Sequence, residues 1–115
     1  MRALVVADER TLADLLAFTL RREGFEVVLA FDAVGALEKF HDSPADVIVL
    51  DVNMPGKLGL ANGFDVCRRI RQTSDVPIIL LTVRDDEEDV VHGLNEGADD
   101  YVLKPFSPRQ VVARI

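Results

Sequence analysis

The chain has 115 residues, 49% hydrophobic and 29% charged, with 20 acidic against 13 basic residues and a net charge of −7. That length supports one domain with a single core, and the composition excludes disordered and fibrous classes. The acidic balance argues against the domain itself gripping nucleic acid, which needs a basic face. No apolar run approaches the ~20 residues that cross a bilayer, and the N-terminus lacks the basic-then-apolar pattern of a signal peptide, so a cytoplasmic location is expected.

Residues 3–7 read as a first strand, buried on both faces because its apolar residues do not alternate with polar ones. Leu12, Leu15, Leu16, Thr19 and Leu20 recur at helical spacing on what reads as one face of a helix that stops at Gly24. Phe25 to Leu29 form a second strand, and Ala33 to His41 a second helix with Leu37 and Phe40 inward. After Pro44, Ala45 to Leu50 give the third and most apolar strand.

A Gly- and Pro-marked loop follows over 52–62, then a helix from Gly63 to Arg71 with Phe64, Val66, Cys67 and Ile70 as its apolar set. Cys67, the one cysteine, can form neither an internal disulfide nor a thiolate cluster, and its helical spacing makes it a buried structural thiol. Pro77 opens the fourth strand, Ile78 to Leu81. The acidic run Asp85 to Asp89 begins a fourth helix, where negative charge complements the helix dipole, and Gly97 ends it. Asp100 to Leu103 form a fifth strand, and Ser107-Pro108 starts a last helix.

Five alternations of strand and helix imply a parallel sheet with helices on both faces, in the doubly wound, flavodoxin-like order 2-1-3-4-5. In that order strands one and three are neighbours at the switch point, which brings Asp8 and Asp51 side by side at the carboxyl edge. Two carboxylates at about 4 Å repel by about 4 kcal/mol at an effective dielectric near 20. A bound cation offsets this, and Mg²⁺ suits the pair because it takes one or two carboxylates and keeps waters that a phosphate can displace. Lys104, after the fifth strand, adds a point charge for phosphate oxygens, and Thr82, after the fourth, a hydroxyl donor. A carboxylate such as Asp51 can then attack phosphorus and carry an aspartyl phosphate. A single Asp after a strand is commonly only a turn or cap residue, and a lysine before a turn proline a surface group. Three charges at three strand ends outweigh that plainer reading. At Lys104-Pro105 a cis peptide would aim the amine into the site.

These residues form recognisable blocks. Val5-Val6-Ala7-Asp8-Glu9, Asp51-x-x-Met54-Pro55-Gly56, Leu81-Thr82 and Gly97-Ala98-Asp99-Asp100-Tyr101-Val102-Leu103-Lys104-Pro105-Phe106 resemble the receiver domain of two-component response regulators, a CheY-like fold, over essentially the whole chain. With Ser107-Pro108-Arg109 the resemblance is greatest to OmpR/PhoB-type receivers, which precede a winged-helix DNA-binding domain. It implies that Asp51 accepts phosphate from a sensor histidine kinase. Asp8, Asp51 and the Asn53 backbone carbonyl would bind Mg²⁺, with Glu9 as a further candidate ligand. Thr82 and Lys104 would hold the phosphoryl group, with Thr82 and Tyr101 as the switch pair. Switching would bias the face built from the fourth helix, fifth strand and last helix toward a homodimer through Val91, Leu94, Asp100, Ala113 and Arg114. DNA would be reached only through an output domain beyond residues 1–115, from which this chain would be an excised piece. No membrane role and no turnover of an external substrate are implied, beyond self-catalysed phosphotransfer and dephosphorylation.

Three features depart from the family. Ala7 replaces the first of two customary adjacent acids, predicting weaker Mg²⁺ binding with phosphorylation retained. The loop after Met54-Pro55-Gly56 runs through Lys57 to Asn62 before Gly63, about four residues longer than usual, at little cost in stability. Val90 and Gln110 stand where a cross-dimer ion pair is usual, predicting a weak dimer.

Two other classes compete. A phosphatase of the haloacid dehalogenase type would need an acid two residues after the nucleophile, where Asn53 stands. A pseudo-receiver that binds partners without phosphorylation is suggested by Ala7 and opposed by Asp51, Thr82 and Lys104 together. A P-loop is excluded by the absence of its glycine-rich lysine motif.

Overall fold

The computed structural model describes residues 1–51, 63–82, 100–103 and 108–115. Its elements are β1 (Arg2–Val6), α1 (Arg10–Arg22), β2 (Glu26–Ala30), α2 (Ala33–Asp42), β3 (Val47–Asp51), α3 (Gly63–Arg71), β4 (Ile78–Thr82), β5 (Asp100–Leu103) and a C-terminal helix (Pro108–Arg114). All four strand pairings are parallel, in the order β2-β1-β3-β4-β5. The expected 52–62 loop and the fourth helix lie outside the described residues.

Side chains alternate between the two faces of the sheet, and both faces are covered. Leu4, Val6, Ile48, Leu50, Ile78 and Leu80 pack with Ala33, Ala36, Val66, Cys67 and Ile70 of α2 and α3. Ala3, Val5, Val47, Val49, Ile79 and Leu81 pack on the other side with Leu16 and Leu20 of α1 and Val111 of the C-terminal helix. This two-sided burial is why the central strands are apolar without alternation.

Several boundaries differ from the sequence reading. β2 begins at Glu26 rather than Phe25, β3 at Val47 rather than Ala45, and Asp51 lies within β3 as its last residue. On α1 the expected inward face needs correction. Leu15 is 48% exposed, and the buried stripe is Ala13, Leu16, Ala17 and Leu20. The alanines let the helix approach the sheet closely and displace Leu15 to the rim. Thr19 is half-buried, its hydroxyl donating to the Leu15 carbonyl at 3.0 Å. Gly24 ends α1 at φ +95°, a conformation that favours glycine.

α2 is fixed at its start by Asp32, whose carboxylate accepts from the Gly35 N–H at 2.6 Å, satisfying one of the first turn's free donors. At the outermost strand Lys39 Nζ donates to the Leu29 carbonyl at 2.7 Å. At the amino edge the Arg2 N–H donates to Asp46 Oδ2 at 2.7 Å, tying the start of β1 to the approach of β3.

Candidate functional site at the carboxyl edge

The site is built by strand register. Val6, the end of β1, pairs with Leu50, Asp51 pairs with Leu81, and Thr82 pairs with Leu103. Four adjacent strands, β1, β3, β4 and β5, thus end together, and their last or next residues face one edge. Asp51 is 2% exposed, the one buried charged residue among those described, and it shares the face of Val47 and Val49. A charge so far from water is costly unless it is paired.

Ala7 continues β1 by one residue, its N–H donating to the Ala30 carbonyl at 3.0 Å, and it is fully buried. With Val6 opposite Leu50, Ala7 is the next residue along the strand neighbouring Asp51. Asp51 is therefore flanked by a methyl group on the β1 side and by Leu81 on the β4 side. Asp8 and Glu9 follow and are exposed, so their carboxylates reach solvent at the same edge.

Among the described residues no group of three or more His, Cys, Asp and Glu side chains could hold a metal ion. Mg²⁺ does not require one, since one or two carboxylates suffice when waters and substrate oxygens complete its octahedron. Asp8 and Asp51, hard oxygen donors at the ends of the adjacent strands β1 and β3, fit that requirement. Asn53, Lys104 and Pro105 lie outside the described residues, as do Val90, Val91 and Leu94. Thr82 ends β4 one residue beyond the partner of Asp51, and Tyr101 sits in β5 opposite Leu80.

Of the expected dimer-face residues, Asp100 opens β5 and is partly exposed, Ala113 is exposed on the C-terminal helix, and Gln110 and Arg114 lie on the same helix. Cys67 is fully buried, as its spacing predicts.

One feature of this edge escaped sequence reasoning. Arg10, the first residue of α1, places its guanidinium 5.0 Å from the centre of the Phe31 ring, just beyond β2. The only signal was a cation two residues after Asp8. No helix among the described residues is long and apolar enough to cross a membrane.

Comparison with known proteins gives a consistent result. The response regulator receiver domain family matches residues 3–115. The sensory transduction protein RegX3 of Mycolicibacterium smegmatis is 51% identical over 112 residues, covering 97% of this chain and 47% of that protein. This chain thus spans about half the length of that relative. Among solved structures, the receiver domain of the Francisella response regulator 1452 superposes with a TM-score of 0.89 at 32% identity, covering 98% of this chain and 91% of that one. The chemotaxis response regulator CheY4 of Vibrio cholerae gives 0.89 at 32% identity, covering 98% and 93%.

Proposed function

Because this chain belongs to the response regulator receiver domain family, we propose that it is the phosphorylation-dependent input module of an OmpR/PhoB-type transcription regulator, with Asp51 as phosphoacceptor. The observation that carries this reading is the position of Asp51, a buried carboxylate ending a central strand beside two other strand ends.

An Asp51 carboxylate oxygen attacks the phosphorus of a kinase phosphohistidine in line. The new O–P bond forms as the P–N bond breaks, and the electron pair leaves with the imidazole. Asp8, Asp51 and the Asn53 carbonyl would hold Mg²⁺, which would supply positive charge to offset that of the phosphoryl oxygens. Glu9 stands next to Asp8 as a further donor. Thr82 donates its hydroxyl to the phosphoryl group and Lys104, ahead of Pro105, pairs with it as a point charge. The movement of Thr82 admits the Tyr101 ring, which shifts the population of the surface formed by the 85–97 segment, β5 and the C-terminal helix. Val91, Leu94, Asp100, Ala113 and Arg114 then support a homodimer. A winged-helix output domain beyond this chain carries the DNA contact, and the protein acts in the cytoplasm.

Incubation with acetyl phosphate and Mg²⁺ followed by intact mass measurement tests the reading. The expected result is one added phosphoryl group, absent from Asp51→Asn. The buried methyl of Ala7, where the family has an acid, favours a second reading, a pseudo-receiver that works without phosphate. An unmodified mass beside a responsive control receiver would establish that second reading instead.

A further inference from the structure

At the end of the domain opposite Asp51, the last turns of α2 and α3 line an open cleft of about 350 Å³. Its apolar wall is formed by Leu37, Phe40 and Ile70, which also belong to or pack on the core. Its polar lining includes His41, Arg69 and Ser74. The volume lies at the lower end of the range for small-molecule sites, roughly 300–1,000 Å³, and such sites combine apolar walls with a few convergent polar groups.

The chemistry of the lining is selective. The chain carries 20 acidic residues against 13 basic ones, yet no Asp or Glu is among the described residues lining this cavity. The Arg69 guanidinium is exposed and is a permanent cation with donors only. Ser74 Oγ accepts from the Val76 N–H at 3.1 Å, which leaves its own proton to donate. The Thr73 hydroxyl, also on the lining, is directed to the Ile70 carbonyl at 3.5 Å. The exposed imidazole of His41 supplies a further donor. Glu38, Asp42 and Asp75 are nearby in sequence but do not line the cavity. An acid-free lining of donors on an acidic protein complements an anion, and the wall beneath complements a ring or short alkyl body.

We propose that this cavity between α2 and α3 is a binding site for a small aryl or alkyl carboxylate, with the carboxylate on Arg69 and the apolar body against Phe40 and Ile70. The site is separate from the phosphoacceptor, since its lining lies toward the amino edge of β3 and β4 while Asp51 ends the carboxyl edge.

Titration of the ¹⁵N-labelled chain with 3-phenylpropionate, monitored by amide chemical shifts, tests the proposal. The expected result is saturable shifts at Leu37, Phe40, His41, Ile70 and Ser74, with a Kd in the millimolar range. The neutral 3-phenylpropionamide and the variant Arg69→Gln should each bind about tenfold more weakly, the loss expected for one charge-assisted hydrogen bond. The unliganded spectrum of Arg69→Gln should match the parent elsewhere, because Arg69 is exposed, and Asp51→Asn should bind as the parent does. Absence of saturable shifts overturns the proposal, and so does equal binding of the amide or of Arg69→Gln.

Discussion

Asp51 and Leu81 are register partners across β3 and β4, one 2% exposed and the other fully buried. The Asp51 carboxylate is thus set beside a core leucine that packs toward α1 and the C-terminal helix. Leu81→Ala should destabilise the fold by about 2–5 kcal/mol through the lost transfer energy and the cavity left behind. Urea denaturation measures this, and a loss below about 1 kcal/mol would show that the strand end tolerates collapse.

Ala7 makes a second prediction on the other flank of Asp51. Ala7→Asp places a carboxylate in a fully buried position on the neighbouring strand, where it is costly without a cation. Without Mg²⁺ the variant should melt below the parent. With Mg²⁺ it should recover, because metal that binds the folded state stabilises it. Its Mg²⁺ affinity should rise about 10–100-fold. Calorimetric titration together with melting in Mg²⁺ and in chelator gives both quantities, and an unchanged affinity would mean that Ala7 does not limit the site.

Removal of the Asp32 carboxylate should weaken the start of α2. Asp32→Ala leaves the Gly35 N–H without its 2.6 Å acceptor and should cost about 1 kcal/mol. Asp32→Asn and Asp32→Ser, both good caps, should recover most of that loss in the same denaturation experiment. Failure of both to do so would indicate a role for the charge itself.

Beryllofluoride with Mg²⁺ should shift the chain toward a dimer, detected by sedimentation velocity. Exposed ion pairs contribute only about 0–1 kcal/mol each, so uncharged Val90 and Gln110 predict a weak association. A sample that stays monomeric at high concentration would count against the proposed face.

Strand positions were legible because burial on both faces leaves a signal that needs no alternation, as in Val47 to Leu50. Asp51 was legible for the same reason, as a charge ending that run. The inward face of α1 was misread at Leu15 because apolar periodicity gives more weight to leucine than to alanine. Ala13 and Ala17 bury completely or nearly so because they are small. The Asp32 cap and the Arg10–Phe31 contact depend on local geometry that no periodicity encodes. The cavity between α2 and α3 depends on tertiary packing, and the chain order separates Phe40 from Arg69 by many residues.

The bond from Lys39 to Leu29 has a consequence for how this protein meets others. β2 is an outer strand of the sheet, and outer strands offer unpaired backbone groups that can recruit a further chain. An ammonium on the Leu29 carbonyl at 2.7 Å occupies one such acceptor and sets a charge where an incoming strand would have to lie. Lys39→Ala would thus leave the Leu29 carbonyl open to an incoming strand at this edge of the sheet.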